Sequence, residues 1–202
     1  MKPTMLVIGD SFMTKDPDYP DEHWSEMLPE YNVVNLARAG ASLSWIADQL
    51  VQGLQYNPAV AVVGLTETSR LTFIDNDNVS RYSTCHTDRM TSDEKLLYTL
   101  WLASVPWQFK YVSAITHISF IFETLRKQHI PFVWHKVLFS TNYVQPAHSK
   151  QFEFVFDEYA KTELTQDIWA HKHVDRPKFH IDNREWQVEF ANNVRTLLTK
   201  TK

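Results

Sequence analysis

The sequence predicts a single-domain α/β fold built on a parallel sheet, and three observations predict it. Short apolar runs that read as strands alternate with helix-like segments over the first 64 residues, the order that implies parallel pairing through right-handed crossovers. Three of the four glycines fall just after those runs. The length of 202 residues, with 44% hydrophobic and 22% charged residues, suits one globular domain with a substantial core.

Each element follows in order. Thr4 to Ile8 is the first strand and delivers Gly9-Asp10-Ser11-Phe12. Asp21 to Leu28 carries acidic residues in its first turn, which favours a helix N-terminus. Tyr31 to Leu36 is the second strand and delivers Ala37-Arg38-Ala39-Gly40. Ser42 or Ser44 caps the next helix, whose apolar residues at 46, 47, 50, 51 and 54 form one face. Ala59 to Val63 is the third strand and delivers Gly64-Leu65-Thr66-Glu67. Glycine at a strand's end lets the chain turn with positive φ or approach a ligand closely. In an open α/β sheet, ligands bind in the crevice outside those carboxyl ends. Three such turns, the first carrying Asp-Ser, point to a site that presents a serine hydroxyl.

Residues 72 to 91 break the rhythm and read as a long polar loop, a candidate lid. Ser92 or Asp93 then caps a helix running through Trp101, and Pro106 begins a second, from Trp107 to about Gln128. Pro131 to Phe139 is the fourth strand by its β-branched and aromatic content. Phe152 to Tyr159 reads as a short helix. Asn183 caps a final helix from Arg184 to about Leu198, with apolar positions at 186, 190, 194, 197 and 198.

The composition excludes several classes. A net charge of −4 with no basic cluster argues against nucleic-acid binding. No apolar stretch reaches the ~20 residues of a membrane span, and the N-terminal run is too short for a signal peptide, so a cytoplasmic protein is expected. Cys85 is the only cysteine, which rules out an internal disulfide and fits a reducing compartment. Cys85-His86 as nucleophile and base is weighed against an incidental loop cysteine, and the latter is preferred. His171, His173 and Asp175 alternate, but no Cys or Glu completes a recognisable ligand spacing, so no metal or other cofactor is expected. His135 lies in a strand near the sheet's carboxyl half, either lining a pocket or satisfied in the core. Trp101, Trp107, Phe109 and Tyr111 cluster around Pro106, as core, as a sugar- or acyl-binding surface, or as an interface.

An apolar strand ending in Gly9-Asp10-Ser11, followed by Asn35-Leu36-Ala37-Arg38-Ala39-Gly40, Gly64-Leu65-Thr66-Glu67 and a late Phe179-His180-Ile181-Asp182-Asn183, resembles the SGNH, or GDSL-like, hydrolase superfamily. The resemblance spans nearly the whole chain and implies a three-layer α/β/α sandwich with a flavodoxin-like parallel sheet. It implies Ser11 as nucleophile and His180 as general base. It also implies an oxyanion hole from the N–H groups of Ser11 and Gly40 and the side chain of Thr66, which stands where the family has asparagine. The family's aspartate, three residues before the histidine, is Pro177 here, and Asp175 is the substitute that would orient His180. Gly64-Leu65-Thr66-Glu67-Thr68-Ser69-Arg70 resembles a variant third block, Gly-x-Thr-x-x-x-Arg, of phage-type members. Arg70, with Asp10, is then expected to bind substrate, the plainer alternative being an arginine paired with Glu67.

The leading expectation is a serine esterase acting on a small O-acyl ester, with an acetylated carbohydrate preferred as substrate. A second, of another class, is a degenerate SGNH fold kept as a binding or structural subunit of a phage particle. That reading predicts an exposed aromatic or apolar patch. A flavodoxin-like phosphate-handling protein ranks last, because Asp10 would repel phosphate and no Gly-rich cradle is present.

Overall fold

The period-2 alternation of strand side chains decides which layer each residue joins. In β1 (Thr4–Ile8), Leu6 and Ile8 point to one face and Met5 and Val7 to the other. The same division runs through β3 (Val60–Leu65), where Ala61, Val63 and Leu65 join the first face and Val60 and Val62 the second. Strands buried on both faces read as continuous apolar runs, as these do. The computed structural model describes residues 1–15, 20–75, 78–82, 90–136, 153–165 and 184–200.

β2 (Asn32–Asn35), β6 (Phe132–Lys136) and the two-residue β7 (Glu163–Leu164) complete a parallel sheet of order β2-β1-β3-β6-β7. Helices α1 (Leu43–Leu54) and α3 (Trp107–Lys127) cover the first face through Ile46, Leu50, Ile118, Phe122 and Leu125. Gly53 lets α1 approach β1 closely, since a Cβ there would lie 2.5 Å from both terminal methyls of Leu6. Helix α4 (Arg184–Lys200) covers the second face with Trp186, Phe190 and Val194, packed on Trp24. Each such fully buried side chain contributes about 1.5–3 kcal/mol. Gln187 fixes the seam by accepting from the Trp24 N–H at 2.8 Å. The result is the expected α/β/α sandwich. Because the strand order reverses between β1 and β3, the ligand crevice lies at the ends of these two strands.

Several expectations are corrected. Asp21 to Leu28 is not an α-helix but two short 3-10 turns, Pro20–Glu22 and Trp24–Met27. His23 between them is extended, and its Nδ1 accepts from the Ser25 N–H, so the ladder restarts there. The polar loop at 72 to 91 contains an antiparallel hairpin, β4 (Leu71–Asp75) with β5 (Asn78–Tyr82). Leu71-Thr72-Phe73-Ile74 has the β-branched and aromatic content of a strand, which its acidic neighbours masked. Helix α2 (Ser92–Ser104) is capped by Thr91 in a reciprocal box with Glu94, rather than by Ser92 or Asp93. Residues 153–158 are helical, as expected. No described helix is long and apolar enough to cross a membrane.

Candidate active site

At the end of β1 the chain turns through Gly9, whose φ of +153° only glycine adopts without strain. A Cβ there would also sit 2.7 Å from Met13 Cγ and 3.1 Å from the Gly64 carbonyl oxygen. The Met13 N–H and the Thr14 hydroxyl both donate to the Asp10 carbonyl at 3.0 Å, closing a tight turn around Ser11. Three further side chains brace it. Gln49 of α1 clamps the Gly9 peptide on both sides: its Oε1 accepts from Gly9 N–H at 2.8 Å, and its Nε2 donates to Gly9 O at 3.1 Å. Asn35, at the end of β2, donates from Nδ2 to the Met13 carbonyl at 2.8 Å and accepts from the Ala37 N–H. The third brace is the Asp10 carboxylate.

Asp10 is completely buried. Its Oδ1 accepts from the Phe12 N–H at 3.0 Å, and its Oδ2 accepts from the Thr66 hydroxyl at 3.0 Å. Arg70 Nη1 lies 3.0 Å from the same Oδ2, a charge contact whose N–H is not aligned as a hydrogen bond. Arg70 Nε donates to Glu67 at 3.4 Å. Burial raises the Asp10 carboxyl above its ordinary range, opposed by the Arg70 guanidinium and by the Phe12 and Thr66 donors.

These contacts revise what the sequence led one to expect. Asp10 and Arg70 were expected to bind substrate; Asp10 is completely buried and pairs with Arg70, which also pairs with Glu67, the plainer alternative, and borders a cavity beside the turn. Desolvating two charges is tolerable only when they are paired, and the strand ends place them together. Thr66 was expected to donate to the oxyanion, but its single hydroxyl hydrogen is directed to Asp10. His135 lies in the core against Phe190, with ring centroids 5.7 Å apart, rather than along a pocket. His180 and Asp175 lie outside the described residues, as do Cys85, His86, His171 and His173. Among the described residues, no group of three His, Cys, Asp or Glu side chains is placed to hold a metal ion.

What remains open at the turn is chemically specific. Among the described residues, neither the N–H nor the hydroxyl of Ser11 makes a hydrogen bond, and the Gly40 N–H makes none. Gly40 has φ +76°, the left-handed conformation that lets a peptide N–H turn out of a strand's end. Ser11 itself is 6% exposed. A hydroxyl and two unengaged backbone donors at the carboxyl ends of β1 and β2 are the parts an acyl-transfer site needs.

Sequence reasoning missed Gln49. The signal was present, because a glutamine interrupts the apolar stripe of α1 between Ile46, Leu50 and Gly53, and a polar residue on a buried face needs a partner.

Beside these residues lies a cavity of about 160 Å³, between the start of α1, the turn after β3 and the α2–α3 hairpin. Arg70 and Glu67 form part of its wall, and Leu43, Leu71, Trp101 and Phe109 are among the residues that line the rest.

No protein-family model matches the sequence, and no curated protein matches it. Solved structures do. The psychrotrophic esterase EstA from Pseudoalteromonas sp. superposes with a TM-score of 0.58 at 15% identity, over 98% of each chain. A putative lipolytic protein of the G-D-S-L family from Desulfitobacterium hafniense gives 0.55 at 14% identity, over 97% of this chain and 99% of the other. The acetyl xylan esterase AlAXEase gives 0.51 at 12% identity, over 96% and 98%. At such identities the likeness establishes architecture, and end to end this chain has the fold of the SGNH/GDSL-family esterases.

Proposed function

We propose that the protein is a divergent SGNH-type serine esterase acting on a small O-acyl ester, with an acetylated carbohydrate as the preferred substrate. The observation that carries this reading is the Ser11 turn itself: a braced serine with its hydroxyl unengaged, beside two backbone N–H groups that donate to nothing among the described residues. The same fold serves as an esterase in its structural neighbours. In this reading Ser11 Oγ attacks the ester carbonyl while His180 takes its proton. The tetrahedral oxyanion is held by the N–H groups of Ser11 and Gly40. Collapse expels the alcohol, which receives the proton from His180, and water then hydrolyses the acyl-enzyme by the same route. Asp175 orients His180 and stabilises its imidazolium form. With the Thr66 hydroxyl given to Asp10, the hole has two donors rather than three, and a missing donor typically costs about 10²–10³ in turnover. The enzyme is accordingly a slow one.

A fluorophosphonate probe tests this directly. Labelling that disappears in both Ser11→Ala and His180→Ala supports an activated serine. Absence of labelling in folded wild-type protein overturns the esterase reading.

One observation favours the second reading, a degenerate fold that binds a partner. Helix α2 buries only Tyr98, while Leu96, Leu97 and Leu100 stand exposed, as do Trp107 and Phe109 of α3. Exposed apolar surface, where it is continuous, marks interaction sites. The comparisons lend no support to a phage particle as its setting. A wild-type chain that resists the probe yet self-associates or captures a partner through α2 would favour this reading.

A further inference from the structure

Lys110 carries a buried charge that its own contacts do not balance. It lies in the first turn of α3, yet only 2% of it is exposed. Its Nζ donates to the Leu102 carbonyl at 2.9 Å and sits 4.5 and 4.4 Å from the ring centroids of Trp101 and Trp107. Leu102 belongs to the last turn of α2, so the ammonium also meets the negative end of that helix, a fraction of a charge. Among the described residues no carboxylate pairs with it, and burial pushes its pKa down with no acid to offset the shift. Buried charges are ordinarily paired, because an uncompensated one is costly to hold away from water.

Lys110 lines the cavity beside the turn after β3, and the other donors there are also under-used. Arg70 is the second. Among the described residues its one hydrogen bond runs from Nε to Glu67 at 3.4 Å, while Nη1 lies against Asp10 without an aligned N–H. The start of α1 is the third. Ser42 caps that helix by accepting from the Trp45 N–H, and the N–H groups of Leu43 and Ser44 donate to nothing among the described residues. First-turn N–H groups carry the positive end of the helix dipole. A buried ammonium, a guanidinium with unassigned donors and a helix N-terminus therefore border one space. The Glu67 carboxylate on the same wall is engaged by Arg70 and lies beyond ion-pair reach of Lys110.

We propose that this cavity binds a small monocarboxylate with a compact apolar body, its carboxylate group facing Lys110, Arg70 and the first turn of α1. The rest of the lining suits the body of such a ligand, since Leu43, Leu71, Trp101, Phe109 and Ala114 are apolar. A volume of about 160 Å³ is the size that holds one benzene ring. A neutral ligand would leave the Lys110 charge unbalanced. A bare inorganic anion would leave the aromatic wall uncovered, and a doubly charged phosphate would add repulsion from Glu67. Ser11 does not line the cavity, so the proposal stands apart from any role of that serine and its test involves no ester.

The test is isothermal titration calorimetry of the full chain with three probes. Benzoate carries both the ring and the charge, benzyl alcohol keeps the ring alone, and inorganic phosphate keeps charge alone. Benzoate is expected to bind about tenfold or more tighter than either, because charge-assisted hydrogen bonds are the strong ones. At ten times its Kd it should raise Tm by about 3–6 °C. Lys110→Met keeps the stem, removes the charge and is expected to abolish the preference for benzoate over benzyl alcohol. Lys136→Met removes another lysine stacked on aromatic rings, outside the cavity, and is expected to leave benzoate affinity unchanged. Phe109→Ala trims a largely exposed side chain of the apolar wall and should weaken benzoate several-fold. If Lys110→Met does not fold, Phe109→Ala and the three probes on wild type decide alone. Benzyl alcohol or phosphate binding as tightly as benzoate would overturn the proposal. So would benzoate binding indifferent to Lys110→Met and Phe109→Ala, or no benzoate binding at all.

Discussion

Removing the Arg70 guanidinium should reveal how the Ser11 turn is held. Arg70→Met keeps most of the side chain's packing and deletes the charge 3.0 Å from a completely buried Asp10 carboxylate. Breaking a buried pair on one side costs about 3–5 kcal/mol, because the remaining charge is left without its partner. At about 2–4 °C per kcal/mol for a chain of this size, Tm should fall by roughly 6–20 °C. The cost should depend on pH in a defined direction. Burial already raises the folded-state pKa of Asp10 above 3.8, and Arg70 is the largest influence lowering it. Without Arg70 it rises further. A group with a raised folded pKa contributes stability that is complete below its unfolded pKa and lost as pH rises through its folded pKa. The gap between wild type and variant should therefore be small near pH 4 and widen toward neutral pH. Asp10→Asn/Arg70→Met removes the stranded charge and keeps an acceptor for the Phe12 N–H, so it should recover about 2 kcal/mol of the loss. Urea unfolding followed by circular dichroism at pH 5 and pH 8 reads all of this. An equal penalty at both pH values, or a double variant no more stable than Arg70→Met, would refute the charge-pair account.

Gln49→Leu strands the Gly9 N–H and should cost about 1–3 kcal/mol in urea unfolding. It should also slow fluorophosphonate labelling, which Gln49→Glu, retaining an acceptor but no amide donor, should slow less. Thr66→Val should cost about 1–2 kcal/mol of stability, since the hydroxyl serves Asp10, and less than tenfold in esterase turnover; a loss of 10²-fold or more would restore Thr66 to the oxyanion hole. His23 is buried beside Trp24, and burial holds its pKa down to about 3. Because the unfolded chain then binds the extra proton first, stability should fall as pH drops from about 6.5 toward 3. His23→Asn, which keeps a cap acceptor for Ser25, should flatten that fall in a pH series of thermal melts.

The sheet was legible because its central strands, β1 and β3, are short, buried on both faces and almost wholly apolar, and because a glycine falls just after each of the three apolar runs that converge on the site. The 3-10 turns at 20–27 were not, since acidic residues favour a helix N-terminus without deciding how many turns follow, and the His23 side chain caps a second turn. The β4–β5 hairpin was obscured because the asparagines and aspartates of 75–78 in the sequence outweigh Leu71-Thr72-Phe73-Ile74. In the site, the residue types were legible and their pairing was not. Asp10, Thr66 and Arg70 each carried a plausible role toward substrate when taken singly. Only the register of β1 beside β3, which sets Ile8 against Val63, shows that the residues just past both strands meet one another first.

That meeting makes the two departures in the third block one change rather than two. Where an asparagine amide would project into the oxyanion hole, Thr66 has a shorter side chain with one hydrogen to give, and a fully buried carboxylate stands 3.0 Å away. With threonine donating to Asp10, the charge on the same oxygen is met by a buried cation, Arg70, whose Nη1 lies 3.0 Å away. The Ser11 turn is then gripped at the Gly9 peptide by Gln49, at the Met13 carbonyl by Asn35 and at the Asp10 carboxylate by Thr66 and Arg70. In the proposed esterase, such a turn would trade an oxyanion donor for rigidity of the two that remain. Rigid, preorganised donors retain most of their effect because they do not reorganise as charge develops. In the proposed esterase these braces act twice, stabilising the fold and holding the Ser11 hydroxyl beside its two remaining donors.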